Sequence, residues 1–554
     1  MVRGNRMSWG ISPRRLALVA LPSFFLFLFV LLPLLMVLYS GLTTDGKLSF
    51  EAFYQVFSSK YYREVMLFTF VQAFASVLIT LALGLPGAFI LSNYEFRWKG
   101  QIMALSTIPF VLPSVLVVLG FVIFFGNSGV LNDLLRDITG GGGVPIRILY
   151  SWKAIILAHA FYNIPLVFRY VSSIWGHIDE GLLEAARNMG ASRLRVFKDI
   201  ELPFLSQAIL SSSLLIFIYC FTSFAIVLAL GGPRYATMEV TIYTVTNFYG
   251  SFEVAAALSL LQIVFLLGIV FAYMKVDVKR IEGRLRQLRS LSSMSSTHKA
   301  LTAVYSLVVS VLLLGPMASI VHASVKAGGL SDYTLDWFRE VLDVGGRSFI
   351  GATPLESIAN SLIIATLAMM ISVIFGIVLS YGHSSVSGLR KLLGAMVMIP
   401  LCVSTITLAL GYLIVGNAFS IDILLMAIVL IHAVISFPFS FRAVSNSVSK
   451  VDRALVEAAQ NMGASRMRAF LSIELPLIKG GIMAAAVFSF AISLGELAAA
   501  YMLYGGRYTT IPIYIYRYIG GYRFGPAAAL GVILMAVSAI SFLLIERAGS
   551  KLQF

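Results

Sequence analysis

"LALVALPSFFLFLFVLLPLLMVLYS", Leu16–Ser40, runs for 25 residues without one charged side chain. An α-helix rises about 1.5 Å per residue, so about 20 apolar residues cross the roughly 30 Å hydrocarbon core of a bilayer. Runs of this length recur from one end of the chain to the other. Hydrocarbon offers no water to an unpaired backbone group, and uninterrupted apolar runs this long satisfy their own peptide groups only as helices. The pattern predicts spans over about 16–40, 66–92, 101–126, 150–172, 204–230 and 253–275. It then predicts about 300–324, 357–381, 390–417, 420–442, 477–503 and 525–546. The expected class is an all-α polytopic membrane protein with about 12 transmembrane helices.

Composition agrees. Only 12% of the 554 residues are charged, against roughly a quarter in soluble domains. The net charge of +15 has two readings, a surface for nucleic acid or an orientation signal. With the N-terminus in the cytoplasm, the whole excess falls on cytoplasmic segments, and the opposite side balances. That is the positive-inside pattern. The partner is membrane lipid and no nucleic acid, in a multi-pass protein of the cell (inner) membrane with both termini cytoplasmic. Leu16–Ser40 follows Arg14 and Arg15 as a signal peptide's core would, but it is too long for one and is read as the first span. Cys220 and Cys402 both fall inside apolar spans and read as buried free thiols, with no metal site.

The chain is a duplication. "EAARNMGASRLRVFKDIELP" (Glu184–Pro203) returns 273 residues later as "EAAQNMGASRMRAFLSIELP" (Glu457–Pro476), with 15 of 20 positions identical. "HAFYNIPLVFR" (His159–Arg169) answers "HAVISFPFSFR" (His432–Arg442) at the same offset, and "IPFVLPSVLVVLG" (Ile108–Gly120) answers "IPLCVSTITLALG" (Ile399–Gly411) at 291. The fall from 291 to 273 places a longer external loop, including "TGGGGVP" (Thr139–Pro145), in the first half. Each repeat holds six spans, an even number, so both copies cross the membrane in the same direction. A pseudo-two-fold axis along the membrane normal follows, with a pathway at the interface of the halves. The domains are residues 1–275, a basic and Ser-rich cytoplasmic linker at 276–299, and residues 300–554.

The polar cassettes, 179–203 and 452–476, read as helix–turn–helix units on the cytoplasmic face. Asp179 and Asp452 stand as N-caps ahead of amphipathic stretches, and Ser192 and Ser465 stand ahead of second short helices. Gly190 and Gly463 fall where a left-handed residue ends a helix, and Pro203 and Pro476 suit the first turn of the next span. An amphipathic helix that merely tidied a loop would need its periodicity but not its identity. Two near-copies at equivalent points indicate two matched docking surfaces, which suit a partner with two equivalent subunits.

Glu-Ala-Ala, three residues, Gly, nine residues, Ile, one residue, Leu-Pro resembles the EAA motif of binding-protein-dependent ABC importer permeases. It is complete at Glu184, Ala185, Ala186, Gly190, Ile200, Leu202 and Pro203, and again at Glu457, Ala458, Ala459, Gly463, Ile473, Leu475 and Pro476. The resemblance covers essentially the whole chain as two fused permease domains, and it implies the type I ABC importer permease (MetI-like) fold. It further implies that each EAA segment is a coupling helix for one of two copies of a cytoplasmic ABC ATPase, with Glu184 and Glu457 facing that subunit. An extracytoplasmic substrate-binding protein is the other implied partner. The sequence holds no G-x-x-x-x-G-K-[ST] loop. The chain is therefore no enzyme and binds no cofactor, ATP and Mg²⁺ belonging to the partner ATPase. Fused members of the family include permeases for thiamine, ferric iron and phosphonates. "CFTSFAIVLALGG" and "SLGELAAAYML" look more like the thiamine-type branch.

The span after each cassette moves first when the cassette moves. Within it Ser223 aligns with Glu496. An ionisable residue inside a span usually faces a cavity or a partner, so Glu496 is the leading pathway candidate, followed by Thr222, Ser223 and Ser493. A purely structural hydrogen-bonding role is the alternative for each. Arg234 and Arg507 recur in Tyr-rich external loops and are candidates for binding-protein docking, where interfacial anchoring explains most of the aromatic rings. His159 and His432 read as packed, hydrogen-bonded residues. Two other functions stay open at this point: a gradient-driven secondary transporter with Glu496 as coupling residue, and a non-transporting scaffold.

Overall fold

The computed structural model describes residues 13–44, 46–141, 143–232, 234–275, 288–327, 332–345, 351–385, 390–419, 423–506 and 508–550. Among these, strands are limited to Thr43–Thr44 with Lys47–Leu48 and Tyr94–Glu95 with Arg289–Ser290; nearly everything else is helix. Eleven described helices are long and apolar enough to cross a membrane, and the bent pair Leu392–Leu401 and Thr405–Phe419 makes twelve.

In chain order the first span is Leu18–Leu42 and the second Lys60–Asn93. The third is Ser114–Thr139, and the helix Lys99–Val111 stands just before it. Trp152–Gly176 is the fourth, Arg193–Phe221 the fifth and Phe252–Tyr273 the sixth. The second half repeats the series with Ser296–Val325, Pro354–His383, the bent pair as ninth, Leu424–Val448, Arg466–Gly495 and Phe524–Ser541.

The chain packs as two compact units, and these cut across the sequence repeat. One holds residues 41–357 and 511–536, the other 1–40, 358–510 and 537–554. Each half therefore lends its opening span to the unit built mainly from the other half. Small residues make these contacts close, as membrane helices require when lipid tails compete for apolar surface. In one unit a Cβ on Gly120 would lie 2.8 Å from the Pro316 carbonyl oxygen of the seventh span. In the other, a Cβ on Gly411 would lie 2.6 Å from the Pro33 carbonyl oxygen of the first span. Gly120 and Gly411 end the matched stretches that stand 291 residues apart, so the repeat keeps the glycine that admits the exchanged span.

The exchanged first span also shows how a proline is accommodated. Pro33 has no N–H to donate to the carbonyl four residues back, Phe29. The helix widens into a π-turn over Phe27–Leu31, and Tyr412 Oη donates to the Phe29 oxygen at 2.9 Å. Phe25 stacks on Phe375 at 4.2 Å between centroids in the same unit. In the other unit Tyr305 Oη donates to the Leu83 oxygen at 2.6 Å.

Four expected spans are not straight. The run 101–126 stops at Val111 and restarts at Ser114, because Pro113 disfavours helical geometry at Leu112; Tyr162 Oη donates to the freed Leu112 oxygen at 3.1 Å. The run 390–417 passes through a tight turn at Ile399–Cys402 and bends by 92° before Thr405. The runs 204–230 and 477–503 each break near their far end, leaving the short helices Ala225–Leu230 and Ala498–Met502.

Enlarging Gly411 must push the first span away from its backbone contact. Gly411→Val is expected to cost about 1–3 kcal/mol, the usual range for overpacking, and to lower the thermal midpoint of the detergent-solubilised protein. Gly268→Val, at a position with open space around its Cβ, is the control and should shift that midpoint little.

Candidate functional site

Each cassette is built by its caps. Asp179 accepts from Gly181 N and Asp452 from Ala454 N, both at 2.9 Å, which starts the helices Glu180–Asn188 and Arg453–Asn461. Gly190 at φ +87° and Gly463 at φ +91° end them in left-handed geometry. A Cβ at either glycine would meet nothing within 4 Å, so conformation, not space, requires the residue. Ser192 and Ser465 then accept from Arg195 N and Arg468 N at 3.3 Å and open the second helices.

Those second helices are the membrane spans themselves. Arg193–Phe221 and Arg466–Gly495 each run unbroken into the bilayer, by way of π-turns at Phe197–Glu201 and Phe470–Glu474. Pro203 and Pro476 follow directly, and the wider turn absorbs the N–H that each proline lacks. Rigid backbone thus links the turn of each cassette to the fifth and eleventh spans.

The two cassettes expose the same surface. Glu184, Ala185 and Gly190 are exposed while Ala186 is buried; Glu457, Ala458 and Gly463 are exposed while Ala459 is buried. Of each alanine pair, one residue packs inward and one is free for contact. The sequence reading passed over the largest apolar projections, Met189 at 84% and Leu194 at 76% exposed, matched by Met462 at 83% and Met467 at 66%. Four exposed apolar side chains on polar helices, repeated in kind, mark a contact surface.

One difference separates the cassettes. Arg289 of the linker strand lies 3.9 Å from Glu180 at the start of the first cassette, and that strand pairs with Tyr94–Glu95. The second cassette begins with Arg453 at the matched position, so the same linker contact would there be repulsive.

The pathway candidates cluster at the helix breaks. Thr222 ends the fifth span, its hydroxyl donating back to the Ile218 oxygen at 2.9 Å, and Ser223 lies in the break before Ala225. Gln72 Nε2 donates to the Cys220 oxygen at 2.8 Å, replacing a helical partner that the break removes. In the second half Gly495 ends the helix and Glu496 turns extended, φ −74° and ψ 120°. Its Oε1 accepts from Ala499 N at 3.0 Å. Ser493 Oγ lies 2.8 Å from His432 Nδ1. In the first half Cys220 takes the matched position, and His159 Nδ1 instead meets Ser76 Oγ at 3.0 Å. Both histidines are buried and bonded, and no group of three metal-ligating side chains occurs among the described residues.

Each short helix beyond a break packs on the same two neighbours. Ala225–Leu230 lies against Ser114–Phe125 and the fourth span; Ala498–Met502 lies against Thr405–Phe419 and the tenth. Arg234 is exposed, with its guanidinium 5.7 Å from the Tyr235 ring. Arg507 and the Cys402 side chain lie outside the described residues. Cys220 is a buried free thiol. Sequence reasoning missed Gln72, a polar side chain in an apolar span, and Glu239, buried with Gln262 Nε2 donating to its Oε1 at 2.6 Å. Both carried the signal of a polar group amid apolar sequence.

Paired cassettes, each continuous with a span that breaks deeper in the bilayer, define a transporter permease. Residues 81–280 and 368–553 match the family described as binding-protein-dependent transport system inner membrane component, and the chain belongs to that family. It is an ABC importer permease, not an enzyme, of a family that places ATP hydrolysis on separate subunits. Over 505 residues, 89% of this chain and 90% of the relative, it is 25% identical to the thiamine transport system permease protein ThiP of Escherichia coli K12. The protein of that name from Haemophilus influenzae is 26% identical over 504 residues, covering 90% and 91%. A probable ABC transporter permease protein, y4fN, of Sinorhizobium fredii is 24% identical over 516 residues, covering 88% and 87%. Membership of a transport family sets aside the non-transporting scaffold.

At Gly190 a side chain is strained whatever the space, by about 1–2 kcal/mol for an ordinary residue and less for asparagine. Gly190→Val should therefore raise amide exchange across 184–196, and Gly190→Asn should raise it less. The pair Gly463→Val and Gly463→Asn should repeat the order at the second cassette.

Proposed function

We propose that the chain is the complete translocation subunit of an ATP-driven importer, with one ATPase copy docked on each cassette. The matched exposed surfaces carry this reading: Glu184, Ala185, Met189 and Leu194 on one cassette, Glu457, Ala458, Met462 and Met467 on the other. ATP and Mg²⁺ belong to the two ATPase subunits. Their closing and opening moves the cassettes as rigid bodies, and the fifth and eleventh spans follow because they share backbone with them. Both termini and both cassettes face the cytoplasm, where the positive-inside pattern puts them. An extracytoplasmic binding protein delivers cargo on the opposite side, with Arg234 and Arg507 as docking residues. Cargo passes the breaks that hold Thr222, Ser223, Ser493 and Glu496.

The cargo is a small cationic solute, thiamine-like in preference to ferric iron. The relatives that match nine-tenths of the chain carry the thiamine name, and the stretches around the breaks resemble that branch.

Charge reversal tests the docking. Glu184→Arg with Glu457→Arg should reduce co-purification of the ATPase by at least about ten-fold, the effect expected when charged anchors at an interface become repulsive. Unaltered association would remove the cassettes as docking sites. For the cargo, proteoliposomes holding the permease, its ATPase and its binding protein should show ATPase stimulation with thiamine-loaded binding protein and none with the ferric form. The reverse result assigns iron.

A further inference from the structure

Gln72 lies buried in the apolar second span. Its Nε2 donates to the Cys220 oxygen at 2.8 Å and to the Thr69 oxygen at 3.2 Å. Cys220 stands in the last turn of the fifth span, just before the break. Thr69, one turn back on the same face as Gln72, accepts at its hydroxyl from Met238 N at 3.0 Å and donates to the Val65 oxygen at 2.7 Å. Met238 opens the helix Met238–Tyr249, and its amide is one that a helix start leaves without a partner. Thr237 is placed to cap that helix, yet its side chain makes no capping bond, and its buried hydroxyl meets no partner among the described residues. The cap comes from the second span instead. Between Thr69 and Gln72, Phe70 sets its ring 5.1 Å from that of Phe221, the last residue of the fifth-span helix.

We propose that Thr69 and Gln72 are positioning residues that form a two-point clamp around the first break. Gln72 holds the end of the fifth span, and Thr69 holds the start of Met238–Tyr249. The short helix Ala225–Leu230 between them is thus fastened to the second span on both sides. The inference rests on the importer reading above, which supplies the cycle in which the clamp acts: displacement that the first cassette delivers to Phe221 is shared with the second span. The repeat separates this role from general polar packing. Gly84 and Gly376 mark matched points of the second and eighth spans, since a Cβ on each would crowd Val167 at 2.7 Å and Ser440 at 3.1 Å, residues that stand 273 apart. At the resulting offset of 292, Ser361 keeps the hydroxyl of Thr69, while Ile364 stands in place of Gln72. The eighth span still reaches the far side of the second break, where Asn360 Nδ2 donates to the Thr509 oxygen at 3.1 Å. An isoleucine side chain has no donor for the near side. The two breaks are therefore held unequally, the first at both ends by its neighbouring span.

Gln72 Oε1 is buried and meets no partner among the described residues, so contact with cargo is the rival role, and the two come apart in substitution. The chain has two cysteines, Cys220 and Cys402, and Cys402→Ser leaves the buried Cys220 thiol as a reporter of opening at the break. In that background the permease is reconstituted with its ATPase and binding protein. Maleimide labelling of Cys220, maximal import rate and KM are then measured. Gln72→Leu should label about five-fold faster and import about five-fold more slowly at unchanged KM, the size of one lost neutral hydrogen bond. Thr69→Val should slow import to a similar degree, and Thr69→Ser, which keeps the hydroxyl, should recover most of the loss. Ile364→Leu, at the matched position, is the control and should change none of the three. Unaltered labelling and import in Gln72→Leu would overturn the clamp. A raised KM with unaltered labelling would overturn it too, and would assign Gln72 to the cargo. Size-exclusion profiles identify a variant that fails to fold, and the Thr69→Val and Thr69→Ser pair decides the matter if Gln72→Leu does so. If the unsubstituted complex imports nothing with ATP, it is the importer reading that fails, while labelling of Cys220, which needs no cargo, still tests the clamp.

Discussion

In hydrocarbon a backbone carbonyl or amide without a partner has no water to turn to, and each such group costs several kcal/mol. Three departures from straight helix among the described residues are therefore met by a side chain from elsewhere. Phe29 O, released by Pro33, takes the Tyr412 hydroxyl; Leu112 O, released at Pro113, takes Tyr162; Cys220 O, released at the fifth-span break, takes Gln72 Nε2. Glu496 does the converse, its Oε1 accepting from the Ala499 amide just beyond the eleventh-span break. The bends at Phe29 and Leu112 are apolar in their own sequence, and the polar partner comes from another span. Such partners couple one span to another as they satisfy its backbone.

That dependence explains how two repeats diverge without losing the fold. His159 and His432 are matched and both buried, yet one bonds Ser76 of the second span and the other Ser493 of the eleventh. The hydroxyl has changed helix while the imidazole Nδ1 keeps an oxygen partner. The same freedom operates at the cassettes, where Glu180 meets the linker's Arg289 and Arg453 stands in its place in the second copy. An exposed ion pair at this separation contributes little to stability, about 0–1 kcal/mol. The parallel strand pairing of Arg289–Ser290 with Tyr94–Glu95 gives it a fixed neighbour, so the first cassette has a second attachment to the chain.

Much of this was legible in the sequence, for identifiable reasons. Spans announce themselves because burial in lipid demands unbroken apolar residues, and the caps at Asp179, Ser192 and Gly190 announce themselves because each has one local job. The breaks were hidden. Apolar residues resume directly after Thr222–Ser223 and after Glu496, and hydropathy averages over two or three residues of non-helical backbone. Pro113 was the available warning, since the residue before a proline avoids helix. The exchange of opening spans was hidden too. Gly120 and Gly411 were visible as matched glycines, but nothing local says that the backbone approaching each is Pro316 or Pro33.

The position of the breaks relative to the cassettes gives the fifth and eleventh spans their mechanical character. From Arg193 and Arg466 the helix is continuous through a π-turn to Phe221 and Gly495, so displacement of a cassette reaches the break with little loss. A helix that stays intact transmits motion, and one that breaks can redirect it. Beyond each break the short helix belongs by packing to the outer part of the third or ninth span and to the fourth or tenth. Each break thus divides a segment governed by the cassette from a segment governed by its neighbours. The polar residues gathered there stand at the boundary between the two, where a small motion of one against the other changes local geometry most.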